Sequence, residues 1–246
     1  MGTVQHRLSR WPRVAPVVLV VVLLIMSATL MALSNGSIGG SDRMTSPTFQ
    51  ASMGGYAPND LGYPILIDTT PHRMSGKARY KLTSVEKSVL FDMNGDGTRE
   101  RIAWVTDGNQ TAFLAIDRNG NGIIDNGTEL FGNHTMPSVS NGFKALAELE
   151  KHKQNGATPG TLDSEDSLFA KLLLWHDRNE DGVSVPDELS AASENLDGIG
   201  LGYSPKQVTD GFGNASVWEG WAIAKGPGFK GAREFTIFDV VFKRVR

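Results

Sequence analysis

The distribution of hydrophobic and polar residues divides the chain into three regions. Residues 14–33 form an uncharged, almost wholly apolar run, and a helix of that length, at about 1.5 Å per residue, would cross a hydrocarbon core of about 30 Å. Residues 35–60 are rich in Gly and Ser and show no periodicity, which is typical of a flexible linker. We therefore expect a signal anchor or signal peptide over residues 1–34, a linker over 35–60 and one domain over 61–246.

In the region after the linker, short apolar segments bounded by turn residues predict antiparallel β-strands. The strand segments are residues 88–91, 101–105, 111–116, 199–203, 216–224 and 233–245. An amphipathic pattern predicts a helix over residues 142–153, and helical spacing predicts a second helix over 166–175. Pro186 suits a first helical position and predicts a third helix over 186–196.

Three loops carry the candidate chemistry, because each places side-chain oxygens at its first, third and fifth positions and glycine at its sixth. These side chains are Asp92, Asn94 and Asp96, then Asp117, Asn119 and Asn121, and finally Asp177, Asn179 and Asp181. A hard cation such as Ca²⁺ takes roughly six to eight oxygen ligands, which alternate residues of a tight loop can supply. One such cluster is typical of a simple turn, whereas three in the same register indicate cation binding.

The third loop has the most complete ligand set. Its seventh residue, Val183, offers a backbone carbonyl, and its twelfth, Glu188, offers a bidentate carboxylate. Val185 at the ninth position leaves that ligand to water. Because helices are predicted on both sides, we expect an α+β fold in which small antiparallel β-sheets accompany an EF-hand-like helix–loop–helix region.

The first two loops are predicted to follow strands instead. In the first, the carbonyl of Thr98 and the carboxylate of Glu100 at the ninth position complete the set. In the second, the carbonyl of Ile123, Asp125 at the ninth position and Glu129, one residue later than the helical pattern, complete it. The alternative for both loops is a hydrated Asx-turn between strands.

Together these segments resemble the EF-hand-bearing module of bacterial secreted haemolysin-type (RTX-associated) calcium-binding proteins. The resemblance rests on LFDMNGDGTRERIAWV, FLAIDRNGNGIIDNGTELFGN, NGFKALAELE and LFAKLLLWHDRNEDGVSVPDEL, followed by GIGLGY and DGFGN, and covers residues 64–246. It implies an extracytoplasmic module that binds Ca²⁺. It also implies fewer bound Ca²⁺ ions than in the family members that carry every loop. A loop after residue 68 is absent, and the loop at 155–166 has lost the side-chain oxygens of its early positions.

Composition narrows the function classes. The absence of Cys from the 246 residues excludes disulfide scaffolds, thiolate zinc sites and cysteine nucleophiles. The net charge of −3 argues against a general nucleic-acid binder. The first 34 residues hold three of the 24 Lys and Arg but none of the 27 Asp and Glu, so the remainder is more acidic still. The five histidines lack HExxH spacing and no nucleophile–base pair stands out, so we expect no enzymatic activity.

The leading hypothesis is an exported calcium-binding protein of the bacterial surface, anchored in the membrane through residues 14–33 if that segment is not cleaved and secreted if it is. It has no nucleic-acid partner. The alternative is an extracellular adhesion or partner-binding protein in which calcium is purely structural, which an exposed surface around Trp218 and Trp221 would favour. A weaker third option is a hydrolase, which would need two facing acids outside the loops.

The predicted topology has a direct test. Arg7, Arg10 and Arg13 precede the apolar run, so the positive-inside rule keeps them in the cytoplasm and exports residues 35–246. A reporter enzyme that works only after export, fused after Arg246, should therefore be active. Cytoplasmic reporter activity at the same position would contradict the prediction.

Overall fold

The computed structural model describes residues 62–69, 80–150, 160–226 and 234–244. The predicted signal or anchor segment and the predicted linker lie outside these residues. Among the helices within them, none has the length and apolar character that a membrane span requires.

Antiparallel β-strands provide most of the secondary structure of the described residues. They are β1 (Ile65–Asp68), β2 (Val89–Phe91), β3 (Glu100–Ile102), β4 (Thr111–Ala115), β5 (Thr161–Asp163), β6 (Leu173–Trp175), β7 (Leu189–Ala191), β8 (Leu196–Gly200), β9 (Ser204–Thr209), β10 (Ala215–Ala224) and β11 (Glu234–Val241). The same residues include two α-helices, α1 (Gly142–Glu150) and α2 (Ala192–Asn195). Short 3-10 turns lie at Val85–Lys87, Phe169–Lys171 and Pro186–Glu188.

Nine of these strands form one antiparallel sheet. Its order is β5-β8-β10-β11-β1-β4-β6-β7, with β9 paired to β10, while β2 and β3 form a separate hairpin. At the centre, Leu66 of β1 lies opposite Phe238 on one side and Phe113 on the other. All residues of β1 and β4 are buried, so both faces of the sheet are covered in this region.

An aromatic core covers one face. Trp104 and Trp175 are fully buried, and their ring centroids lie 4.8 Å and 5.2 Å from that of Phe113. Phe91 joins them at 5.1 Å from Trp104. Because β2 ends at Phe91 and β6 ends at Trp175, two of the three candidate loops start directly from this core.

Helix α1 covers the opposite face. The ring of Phe143 packs against Gly220 of β10, and the N–H of Gly142 donates to Oδ2 of Asp239 on β11 at 2.7 Å. Asp239 is fully buried, and Oδ1 has no hydrogen-bond partner in the part of the chain that the structure describes. Burial raises the pKa of Asp239 well above its ordinary value, although the hydrogen bond from Gly142 opposes the rise.

The predicted α+β fold with an EF-hand-like helix–loop–helix region is wrong. The predicted helix over 166–175 is a 3-10 turn followed by β6, and the one over 186–196 is a 3-10 turn, β7 and the single turn α2. Strand β6 pairs with β7, with Trp175 opposite Leu189, and also with β4. The apolar spacing in 166–175 fits a strand buried on both faces as well as a helix, and the sheet pairing decides between them.

Several other predicted elements are confirmed, whereas the strands predicted at 101–105 and 199–203 overlap β3 and β8 by two residues each. The helix over 142–153 is α1 as far as the described residues reach, and the strands at 88–91, 111–116, 216–224 and 233–245 correspond to β2, β4, β10 and β11. These segments either have strict amphipathic spacing or are bounded by clear turn residues, so the local sequence pattern was sufficient to predict their secondary structure.

Asp239→Asn should change how stability depends on pH. The raised native pKa means that the folded protein binds more protons at this site than the unfolded one above the ordinary carboxyl value of 3.8. The unfolding free energy therefore falls as pH rises from that value towards the native pKa of Asp239. The slope of this fall is up to about 1.4 kcal/mol per pH unit. Asparagine can keep the acceptor for Gly142 without the charge.

We thus expect Asp239→Asn to be increasingly more stable than the wild type as pH rises from 4 to 7. Denaturant unfolding of both proteins, in the same chelator, would measure the difference in unfolding free energy at each pH. A difference that stays constant with pH would contradict the assignment.

Candidate metal centre

All three acidic loops leave a strand and return beside it. Loop 1 (residues 92–100) connects β2 and β3, and loop 3 (177–188) connects β6 and β7. Loop 2 (117–129) follows β4 and ends at a bridge between Ala115 and Leu130. The strand–loop–strand arrangement predicted for loop 1 is confirmed, and loop 3 shares it. Loop 2 runs from a strand to an isolated bridge.

In loop 1, the buried carboxylate of Asp92 organises the backbone. Its Oδ1 accepts the N–H of Gly95 at 2.7 Å, and its Oδ2 accepts the N–H of Gly97 at 2.9 Å. The amide of Asn94 donates to Oδ2 of Asp96 at 2.9 Å. Hydrogen bonds from Asn94 and from the N–H of Thr98 also lower the pKa of Asp96. The third and fifth side chains of loop 1 are therefore in contact.

The predicted ninth ligand of loop 1, Glu100, is engaged elsewhere. Nη1 of Arg244 donates to both carboxylate oxygens of Glu100, at 2.8 Å and 2.9 Å. This pair would have to open before Glu100 could reach a cation in loop 1. Arg244 also acts on Asp96, whose pKa its positive charge helps to lower after the hydrogen bonds from Asn94 and Thr98.

Loop 2 brings its third, fifth and ninth side chains to one point. The amides of Asn119 and Asn121 both donate to Oδ2 of Asp125, each at 2.7 Å. Glu129, only 2% exposed, lies against the start of the loop, where its two oxygens accept the N–H groups of Arg118 at 2.9 Å and Asp125 at 2.8 Å. The late position of Glu129 therefore does not prevent its carboxylate from closing the loop.

Loop 3 repeats this closing contact and adds two indole groups. Oε1 of Glu188 accepts the N–H of Arg178 at 2.9 Å, and Oε2 accepts Nε1 of Trp175 at 3.3 Å. Nε1 of Trp104 donates to Oδ2 of Asp177 at 2.5 Å. Burial raises the pKa of Asp177, hydrogen bonds from the Gly182 N–H and Trp104 oppose the rise, and the negative charge of Glu188 adds to it.

The aspartate at the first position accepts backbone N–H groups of its own loop in loops 2 and 3, as it does in loop 1. Asp117 accepts the N–H groups of Gly120 at 2.7 Å and Gly122 at 2.9 Å. Asp177 likewise accepts the N–H of Gly182 at 2.8 Å. Gly120, Gly122 and Gly182 all have positive φ, which glycine adopts without the steric cost that a Cβ brings. The glycine at the sixth position is thus required by the backbone.

The residue at the seventh position makes the same hydrogen bond in all three loops. In each loop its N–H donates to the side-chain oxygen of the fifth residue, at 2.7–3.0 Å, in the pairs Thr98–Asp96, Ile123–Asn121 and Val183–Asp181. Asn179 donates to Asp181 at 2.9 Å and completes the set for loop 3. These are Asx-turn hydrogen bonds, so the turns of the alternative interpretation are present. They hold the oxygen-bearing side chains in place and are compatible with a bound cation.

The loops also touch one another. The N–H of Gly127 in loop 2 donates to the carbonyl of Asp92 in loop 1 at 2.8 Å, and the N–H of Ile124 donates to Oγ of Ser184 in loop 3 at 2.9 Å. The degraded loop is different: Asp166 accepts the N–H of Asp163 at 2.9 Å and forms a local turn. Residues 155–159 lie outside the described part.

The donor chemistry of the loops fits a hard divalent cation. Loop 2 offers the carboxylates of Asp117, Asp125 and Glu129, and loop 3 offers those of Asp177, Asp181 and Glu188, each with amide and backbone oxygens. Across residues 62–69, 80–150, 160–226 and 234–244, no group of three or more His, Cys, Asp or Glu is arranged to hold a metal by itself. Amide and carbonyl oxygens would therefore have to complete any coordination shell.

Sequence reasoning missed Trp104 and Trp175 as neighbours of the acidic loops. Trp104 lies 73 positions from the carboxylate that it contacts, and no local spacing indicates such a pair. The sign that could have suggested them is the presence of two tryptophans in apolar segments whose indole N–H groups need an acceptor once buried.

The fold and these loops define an antiparallel β-protein with acidic hairpin loops rooted in an aromatic core. Residues 76–232 match the model of the SPM domain, and the chain belongs to the SPM domain family. Over 136 residues it is 35% identical to the iron-regulated protein FrpA of Neisseria meningitidis serogroup C. That match covers 53% of this chain and 12% of FrpA, so the chain spans a small part of the relative's length.

The resemblance to an EF-hand-bearing haemolysin-type module is therefore corrected. The matching family is the SPM domain, and β6 and β7 flank the loop that was expected between helices. The cause of the error is that the DxNxDG pattern specifies oxygen positions and a glycine turn but says nothing about the flanking elements.

Gly127→Ala should destabilise the junction of loops 1 and 2. A Cβ at residue 127 would lie 1.8 Å from the carbonyl oxygen of Met93, which is backbone and cannot rotate away. We expect a loss of about 3 kcal/mol in unfolding free energy, or roughly 6–12 °C in Tm. Circular dichroism melts in chelator would measure it.

The matched control is Gly202→Ala, because nothing lies within 4 Å of a Cβ at that position. Its Tm should stay close to that of the wild type. Equal melting temperatures for both variants would show that the close approach of loops 1 and 2 is not required.

Proposed function

We propose that this chain is an extracytoplasmic calcium-binding module whose main sites are loops 2 and 3. The observation that carries the proposal is the closing contact of Glu129 and Glu188. Each buried carboxylate is held over the start of its loop by the N–H of the second loop residue, at 2.9 Å. Each of the two loops thus has one carboxylate at its first residue and another at its last residue.

Charge balance supports a cation at these positions. Loop 2 contains three carboxylates and loop 3 contains five. Those of Glu129, Asp177 and Glu188 are buried, and burying such charges is costly unless an opposite charge is supplied. The arginines of the two loops do not supply it: Arg118 donates Nη1 to the carbonyls of Thr128 and Thr135, and Arg178 donates Nη1 to the carbonyl of Asp187. A bound divalent cation would balance the carboxylates directly.

Calcium suits these loops better than other metals. Thiolate ligands are absent from the sequence, and Mg²⁺ requires a rigid octahedron that a mixture of amide, carboxylate and backbone oxygens satisfies poorly. Extracellular modules bind Ca²⁺ at about 10⁻⁴–10⁻³ M. Loop 1, whose Glu100 is paired with Arg244, would be the weaker site.

Membership of the SPM domain family and the match to FrpA are compatible with an exported calcium-binding protein. Anchoring in the membrane, secretion, the lack of a nucleic-acid partner and the lack of enzymatic activity stay predictions. The adhesion alternative depended on an exposed surface around Trp218 and Trp221 and is less favoured. Trp218 is 4% exposed and its ring meets that of Tyr203 at 5.3 Å, and Trp221 is half-buried. Trp218 therefore offers no exposed platform.

Calcium titration monitored by tryptophan fluorescence tests the proposal. Because the indoles of Trp104 and Trp175 contact Asp177 and Glu188, filling loop 3 should change the emission of both. Calcium at 100 times its Kd should also stabilise the fold by about 2.7 kcal/mol per site. Emission and Tm that do not respond to millimolar Ca²⁺, or a response that equimolar Mg²⁺ abolishes, would contradict the proposal.

Glu188→Gln isolates loop 3. Glutamine keeps the size of the side chain but removes one charge and one strong ligand. Native mass spectrometry should count about one Ca²⁺ fewer, and the calcium-dependent rise in Tm should shrink while the calcium-free protein stays folded. The matched control, Asp163→Asn, removes a carboxylate outside the three loops and should leave the ion count unchanged. An unchanged count in both variants would exclude loop 3 as a site.

A further inference from the structure

A groove separate from the three loops lies between residues 80–87 and residues 208–212. Its volume is about 650 Å³, within the range of roughly 300–1,000 Å³ that small-molecule sites occupy. Four apolar or aromatic side chains line it, namely Tyr80, Leu82, Val208 and Phe212, and Lys81 and Lys87 supply its basic groups. None of the lining residues belongs to loops 1, 2 or 3.

The turn that carries Phe212 holds its ring in the exposed position. Phe212 is 56% exposed and Val208 is 47% exposed. Oδ1 of Asp210 accepts the N–H groups of Phe212 at 2.8 Å and Asn214 at 2.9 Å, and Oδ2 accepts the Asn214 amide at 2.8 Å. The aromatic ring is therefore presented by a fixed turn. A preorganised apolar surface loses less entropy on binding.

The opposite wall is equally fixed. The N–H of Thr83 donates to the carbonyl of Trp104, and Oγ1 of Thr83 accepts the N–H of Trp104, each at 2.8 Å. The buried amide of Asn214 donates to the carbonyl of Thr83 at 3.1 Å and so links the two walls. Tyr80 packs edge-on against Phe238 at 5.0 Å, and burial raises the pKa of its hydroxyl to about 12. The groove is thus part of the folded core.

The charge of the groove is positive in an otherwise acidic protein. Lys81 and Lys87 are exposed, and neither forms an ion pair with a carboxylate of the described residues. The one acid that lines the groove, Asp210, already accepts the three hydrogen bonds that build the turn. The charge of Asp210 offsets one of the two lysines, so the residues that line the groove carry a net charge of +1 and favour an anion.

We propose that this groove binds a small amphipathic organic anion. The apolar body of the ligand would lie against Phe212 and Val208, and its carboxylate or sulfonate would face Lys81 and Lys87. The proposal rests on the apolar surface, the fixed walls and the two lysines without carboxylate partners. It does not depend on calcium binding by the loops.

A pair of fluorescent dyes separates the apolar and the charged contributions to binding affinity in the groove. 8-Anilinonaphthalene-1-sulfonate carries a sulfonate, and N-phenyl-1-naphthylamine has a similar aromatic body without it. Both should bind the folded protein in chelator with enhanced fluorescence, and the anionic dye should bind more tightly. Equal affinity for the two dyes, or no binding of the anionic dye, would overturn the proposal.

Variants assign the binding to the groove. The double variant Lys81→Gln/Lys87→Gln should weaken the anionic dye about five- to tenfold, as expected for two exposed charge contacts, and should leave the neutral dye unchanged. Phe212→Ser should weaken both dyes. Thermal melts confirm that each variant is folded.

Two control variants change similar side chains elsewhere. Leu90 is 47% exposed and lies on β2, so Leu90→Ser should leave the binding of both dyes unchanged, as should Lys171→Gln at an exposed lysine. Controls that weaken binding as much as the groove variants would place the dyes elsewhere and overturn the proposal. If the groove variants changed only co-sedimentation with anionic phospholipid vesicles, the groove would be a membrane contact and the proposal would be wrong.

Discussion

The contact between buried carboxylates and the aromatic core is the constraint on which the arrangement of this protein depends. Asp177 and Glu188 are 1% and 5% exposed, and the indole N–H groups of Trp104 and Trp175 donate to them. Burying a charged carboxylate this deeply is costly unless donors satisfy its oxygens. The loop backbone supplies the remaining donors, so the loop and the core must adopt their structures together. Removing the indole of Trp175 would take that donor from Oε2 of Glu188, whereas Oδ2 of Asp177 would keep the N–H of Gly182 if the indole of Trp104 were removed.

This constraint fits the position of loop 3 in a β-hairpin. A strand end brings consecutive N–H groups close to the side chain that follows it, as for Asp177 after β6, and the chain that returns to β7 brings back Glu188. Strand pairing between β6 and β7 fixes the distance between Asp177 and Glu188 without helices. A cation in such a loop would join two strand ends. It would not open a pair of helices, so the structural consequence differs from that of a sensor built on helix–loop–helix units.

The sequence predicted those features that depend on interactions between residues a few positions apart. The oxygen positions, the sixth-position glycines and the strands β2, β4, β10 and β11 follow from patterns within a few residues, and the structure brings the predicted side chains of loop 2 together. The flanks of loop 3 could not be predicted, because the apolar residues of 166–175 have a spacing that suits a helix and a strand alike. The strand conformation of Leu173–Trp175 depends on pairing with β4, about 60 positions away. The ion pair of Glu100 with Arg244, 144 positions apart, is invisible to local patterns for the same reason.

Trp104 connects the two sites that the proposals assign. Its indole N–H donates to Asp177 in loop 3, and its backbone pairs with Thr83 in the wall of the groove. Since Trp104 is fully buried and its ring lies 4.8 Å from that of Phe113, it cannot shift at one contact without disturbing the core and the other contact. Any change that a cation imposes on Asp177 therefore acts on a residue that also fixes the Thr83 wall. Thr83 is joined through Asn214 to the turn that presents Phe212. The hydrogen bonds that join loop 3, Trp104, Thr83 and Asn214 are buried, whereas those of the turn itself are partly or fully exposed.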